Sequence, residues 1–224
     1  MAQQSAHGGD DGLVKVASPT DRVDNGWDDA ARAVYSVRKI DAPMGIILQP
    51  DARAPYLLDL QGKKFYSTDD LSDFPTHPVH VGVQTYVVSA DDVLPPGPGR
   101  NLELLLWNVG RSSFHGGLAP WLSPTAPYRL TAWPDFTGVF HTTFHLRLTA
   151  HLANHVSTVN DLIELFPTDA DSVPGAMNAF SLLGILESMP AQPAPAPAGE
   201  QSEPSEPVKA TGGLWSRLRD RWGF

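Results

Sequence analysis

The chain has no cysteine among its 224 residues, which excludes disulfide bonds, thiolate nucleophiles and Cys-ligated zinc. It is also short of basic charge: 16 Lys and Arg stand against 25 Asp and Glu, a formal net charge of -9. A negative field of that size disfavours general binding to phosphate backbones. No run of about 18 apolar residues is present to span a bilayer. The opening MAQQSAHGGDDG lacks the basic patch and apolar stretch of a secretory signal, and with the missing cysteine this predicts a cytoplasmic protein. G-x-x-x-x-G-K-[ST] and G-x-G-x-x-G are absent, so neither P-loop hydrolysis nor a Rossmann nucleotide site is indicated.

What is present suffices for a core. Hydrophobic residues make up 42% of the chain, with six tryptophans, and 21 prolines and 19 glycines break it into segments. Residues 1–30 are rich in Gly, Ser and Asp and offer few large apolar side chains against ordering entropy, which predicts a disordered acidic arm. Residues 33–112 read as a small β-rich α+β domain with a covering helix. MGIIL at 44–48 and YLLDL at 56–60 predict strands, the second turning at Gln61-Gly62 into KKFYS as a hairpin. VHVGVQTYV from Val79 alternates, with Val79, Val81, Val83, Thr85 and Val87 on one face, and one face is expected to be buried. Asn101 is placed to cap a helix with the stripe Leu102, Leu105, Leu106 and Val109, and Gly110 to stop it.

A Pro-, Gly- and aromatic-rich loop over 113–132 is expected to connect this domain to a three-helix domain over 133–189. In the first helix Thr142 or Thr143 caps Phe144, Leu148 and Leu152, with Asn154 ending it in a left-handed conformation. Ser157 caps the second, whose stripe is Val159, Leu162, Ile163 and Phe166 before Pro167. Ser172 caps the third, with Val173, Met177, Phe180 and Leu183 inward until Gly184. A Pro- and Ala-rich linker over 190–213 precedes an amphipathic C-terminal peptide over 214–224, LWSRLRDRWGF.

HTTFHLRLTAHLANH, from His141 to His155, carries four of the eight histidines. Fourteen residues of continuous helix cover roughly 21 Å, so one metal cannot take all four. The pairs His141/His145 and His151/His155 have the i, i+4 spacing of a zinc chelate, but neither has the Glu that serves as base in zinc proteases. With caps at Thr142 or Thr143 and at Asn154, the outer member of each pair falls outside the helix. The expectation is therefore packing or partly exposed histidines, with no metal, no cofactor and no catalytic residue assigned. Ser112, Ser113 and His115 sit close together, yet RSSFHGG is not the strained G-x-S-x-G elbow of a serine nucleophile. Asp69, Asp70 and Asp73 lack the EF-hand pattern and predict a capped turn held by local hydrogen bonds.

The helical trio over 133–187 resembles a helix-turn-helix or winged-helix-like module, which implies a DNA reader. Several residues argue against that use: between Thr131 and Pro190 the only basic residue is Arg147, and the third helix, VPGAMNAFSLLG, offers only Asn178 to a base edge. Around YLLDLQGKKFYS and AWPDF the layout resembles uncharacterised bacterial accessory proteins that accompany small GTPases and roadblock-type proteins, which implies protein partners of that kind.

In the terminal peptide, Leu214, Leu218 and Trp222 align at i, i+4, i+8 with Trp215 beside them, and Arg217 and Arg221 lie on the remaining surface. So short a helix is marginal alone and needs a surface to fold on: a partner groove, an anionic membrane surface or the chain's own domains. The linker makes it a tethered ligand. The expected function is a non-enzymatic cytoplasmic adaptor that binds partner proteins through its folded domains and through Leu214, Trp215, Arg217, Leu218, Arg221 and Trp222. The alternatives are a metal-dependent enzyme using the His141–His155 cluster and a winged-helix transcriptional regulator; direct nucleic-acid binding is not expected.

Overall fold

The computed structural model describes residues 26–88 and 98–190. The fold is α+β, an antiparallel sheet followed by helices. It begins earlier than the composition indicates. Helix α1, Asp28–Val37, lies across the predicted boundary of the acidic arm, with Trp27 and Ala30 fully buried. Ala30, Ala31, Val34 and Val37 make the inward stripe, and Asp28 and Asp29 sit in the first turn, where the helix dipole favours negative charge. Two of the acidic residues read as an unfolded arm are thus a helix start. Residues 1–25 of that arm lie outside the described residues.

Strands β1 (Met44–Pro50), β2 (Tyr56–Asp59), β3 (Lys64–Tyr66), β4 (Val81–Val87) and β5 (Arg100–Asn101) form one antiparallel sheet in the order β4-β1-β2-β3-β5. The Gln61-Gly62 hairpin is present, pairing Leu57 with Tyr66 and Asp59 with Lys64. The core face carries Ile46, Leu48, Tyr56, Leu58 and Phe65, all without solvent exposure. β4 departs from expectation. It is an edge strand of the described sheet, and neither face is buried along its length: in the row Val79, Val81, Val83, Thr85 and Val87 only Val81 is buried, and Val79, Thr85 and Val87 are exposed.

Asn101 caps helix α2, Leu102–Ser112, its Oδ1 accepting the Glu103 N–H at 3.0 Å. Gly110 does not stop this helix. A Cβ there would lie 2.4 Å from Ala179 Cα, so the glycine serves a close crossing with a later helix rather than a cap. The stretch 113–132 contains strand β6, Tyr128–Leu130, paired with β7, Leu186–Ser188. Between them run α3 (Thr143–Asn154), α4 (Val159–Leu165) and α5 (Val173–Leu183). The three predicted helices are present, with small changes at their ends. Asn154 is helical and His155 follows in extended backbone. Thr158 caps α4 in place of Ser157, its hydroxyl accepting the Asp161 N–H at 3.1 Å while Asp161 accepts the Thr158 N–H. Ser172 makes no side-chain cap, and Gly184 ends α5 in the left-handed region at φ 72°, where a Cβ would be strained.

α5 packs along α2, and Trp107 meets Phe180 with ring centroids 5.7 Å apart. Arg38, at the end of α1, donates to the Leu182 and Leu183 carbonyls that α5 leaves unpaired. The sheet segment and the helical trio thus share one hydrophobic core within a single compact unit, and the boundary at 113–132 does not separate two cores. Among the described residues, no helix is long and apolar enough to cross a membrane.

Candidate functional site

Helix α3 splits the histidine cluster into two unlike ends. His145 is almost fully buried and meets Trp107 edge-on at 5.3 Å. Its Nδ1 accepts the Thr142 N–H at 3.0 Å, which requires a ring unprotonated at that nitrogen. Burial, then the nearby Arg111 and His141, hold its pKa down from 6.5 to about 4. His141 precedes the cap, turns its Nδ1 to the Val139 carbonyl at 3.0 Å and packs on Phe136. At the far end His151 Nε2 and Ser157 Oγ are 2.8 Å apart, and the His151 and His155 rings lie 4.9 Å apart. Burial and then His155 lower the His151 pKa. Among the described residues, no group of three or more His, Asp or Glu converges in a way that could hold a metal ion.

The other sequence candidates resolve into local roles. Ser113 is buried and donates to the Gly110 carbonyl at 2.9 Å, back onto its own helix. Ser112 and His115 line a cavity of about 200 Å³ together with Asp28 and His77. Phe114 and His115 both have positive φ, 57° and 48°, a strained reversal for residues with a Cβ. It is held by Asp28 Oδ1, which accepts the Phe114 N–H, and by the edge of Trp121 at 5.5 Å. Asp70 caps a short turn at Leu71–Asp73 by accepting the Ser72 N–H at 2.9 Å, and these hydrogen bonds hold its carboxyl below the usual range. Asp69 Oδ2 accepts the Ala54 N–H at 3.2 Å. Asn178, the one residue offered to a base edge, is fully buried; it accepts the Ala119 N–H and donates to the Gly117 carbonyl.

The feature that motif reading missed is an aromatic margin where α2 meets the segment leading into α3. Trp107 Nε1 and Arg111 Nη1 both donate to the Phe140 carbonyl, at 3.0 and 3.1 Å. The Arg111 guanidinium lies over the Phe140 and Trp107 rings at 5.3 and 5.9 Å, and burial lowers its pKa. This fixes the backbone of Phe140 while its ring stays out, 67% exposed, and Trp133 is 58% exposed on the same segment. Leu146, Val156 and Leu165 add exposed aliphatic side chains on and after α3. The aromatic-rich AWPDFTGVF was the available signal, but no periodicity says which rings face outward. Leu214, Trp215, Arg217, Leu218, Arg221 and Trp222 lie outside the described residues. Comparison of the chain with protein-family models, with curated proteins and with solved structures gives no match.

Proposed function

We propose that the protein is a non-enzymatic cytoplasmic adaptor, which binds partner proteins through the aromatic margin beside α3 and through the tethered peptide at 214–224. One observation carries this reading. Phe140 stands exposed on a backbone pinned by Trp107 and Arg111, Trp133 is exposed on the same segment, and exposed aromatics held in place at helix margins are what protein interfaces bury. The terminal peptide adds two tryptophans and two leucines, separated in sequence from the helical trio by a Pro- and Ala-rich stretch of about two dozen residues. A weak contact at each site then gains from the other by effective concentration. Of the partner classes implied by the layout, small GTPases and roadblock-type proteins are the first to try. Anionic membrane contact through Arg217 and Arg221 is a lesser use of the same peptide.

The experiment is affinity capture with the full chain, with the double variant Trp133→Ser and Phe140→Ser, and with residues 190–224 deleted. Each change is expected to weaken capture of the same partner, and both together to abolish it. An unchanged partner set after both changes refutes the adaptor. Stoichiometric zinc or iron in untagged protein, lost in His145→Ala, also refutes it in favour of the metal-enzyme alternative.

A further inference from the structure

We propose that β4 is the seam of a symmetric homodimer, in which two copies pair their Val81–Val87 strands antiparallel about a two-fold axis at Gln84. The inference starts from the ladder. Val88 N–H donates to the Pro43 carbonyl at 2.7 Å and Asp51 N–H to the His80 carbonyl at 3.2 Å. Both fall in the β1–β4 register, so the even-numbered residues of β4 make the hydrogen bonds to β1. The backbone N–H and C=O groups of Val81, Val83, Thr85 and Val87 therefore point away from β1. Among the described residues no strand pairs on that side, because the sheet order ends at β4, although α1 packs against the strand and covers its Val81 end.

Such an edge is a template for another strand unless it is blunted by charge, proline, a bulge or shortness. The opposite edge, β5, is two residues long and begins with Arg100. β4 has none of these protections: VGVQTYV is seven residues long, uncharged and rich in β-branched side chains.

A second copy fits better than an arbitrary peptide for two reasons. Self-pairing about Gln84 sets Val83 opposite Thr85 and Val81 opposite Val87, with no charged side chain facing its like. Burial also falls along the strand, from Val81 at 2% exposed through half-buried Val83 to Val87 at 65%. The two-fold axis places the bare Val87 end of each copy beside the covered Val81 end of the other. The odd-numbered pairs exchange the new hydrogen bonds, and the two five-stranded sheets become continuous.

The absence of cysteine makes the register directly readable. At the axis the two Gln84 residues face each other as a non-hydrogen-bonded pair, with Cα atoms about 4.5 Å apart, close enough for a disulfide. In the full chain, Gln84→Cys is expected to form a reducible dimer under mild oxidation, and Thr85→Cys, whose copies are offset along the strand, to lag far behind. By sedimentation velocity the unmodified chain is expected to dimerise with rising concentration. Thr85→Pro, which removes only an outward N–H, is expected to raise the dimer dissociation constant about tenfold or more. Should Thr85→Pro disturb folding, Gln84→Lys places like charges across the axis and gives the same loss without touching the backbone. A monomer at every concentration, a dimer indifferent to both substitutions, or equal cross-linking at positions 84 and 85 overturns the proposal.

Discussion

The α2–α5 crossing and the β4 edge are both made from runs of apolar residues, and they end in opposite states. At the crossing, Gly110 and Gly175 bring backbones so close that a Cβ at Gly110 would lie 2.4 Å from Ala179, and a Cβ at Gly175 would lie 3.2 Å from the Arg111 carbonyl. Trp107 fills the end of the seam, and its indole N–H is satisfied by the Phe140 carbonyl. At the edge, an equally apolar strand is covered at Val81 and bare at Val87. The contrast lies in what stands opposite: a helix shaped by small residues in one case, no described strand along the open edge in the other. Composition along a segment therefore indicates how much surface is available to bury, and the partner element decides whether it is buried.

If the crossing is the rigid part of the molecule, Trp107→Ala should be its most damaging truncation, costing about 3 to 5 kcal/mol in denaturant unfolding; a loss below 1 kcal/mol would show a seam able to collapse. Gly110→Ala tests the close approach itself and is expected to cost about 1 to 3 kcal/mol by overpacking, although alanine is the better helix former. A neutral or stabilising result would mean that the helices can separate without loss.

The histidine beside the seam supplies a pH test. The His145 pKa is about 4 in the fold against an ordinary 6.5, so as pH falls the unfolded chain binds the proton first. Its contribution is complete above about pH 6.5 and is lost as pH falls toward 4, an effect of order 2 kcal/mol after allowance for water near the ring. His145→Gln keeps an acceptor for the Thr142 N–H and should flatten that slope. An unchanged slope would assign the pH dependence to other groups. Farther from the seam, Thr158→Ala removes the α4 cap and is expected to cost about 1 kcal/mol, measured by thermal or chemical melting. At the bare edge, Val87→Thr should change the stability of the dilute protein by less than about 0.5 kcal/mol. A larger loss would show that Val87 is already covered, and the contrast would fail.

Local chemistry made much of the fold legible. The Gln61-Gly62 hairpin, the Asn101 cap, the stripes of the three C-terminal helices and the stop at Gly184 follow from rules that act within a few residues. α1 was missed because its start is acidic and lies beside a Gly- and Asp-rich stretch, so composition hid the Ala30, Ala31, Val34 and Val37 stripe. Gly110 was misread because a glycine that ends a helix and one that admits a neighbour look alike in sequence. Of the candidate site, the spacing of the histidines already argued against a shared ion. Which of them is buried and neutral, and that Arg111 and Trp107 hold Phe140 by its backbone, depend on residues about 30 positions apart.

The sequence by itself determined the type and order of most elements and the negative charge, because hydrophobic period, caps and turns are short-range properties. Tertiary structure alone decided that the sheet and the helical trio share one core, that β4 stands at an edge, and that Phe140 faces outward beside a desolvated arginine. Those outcomes depend on contacts between distant segments, whose free energy is absent from any local window of residues.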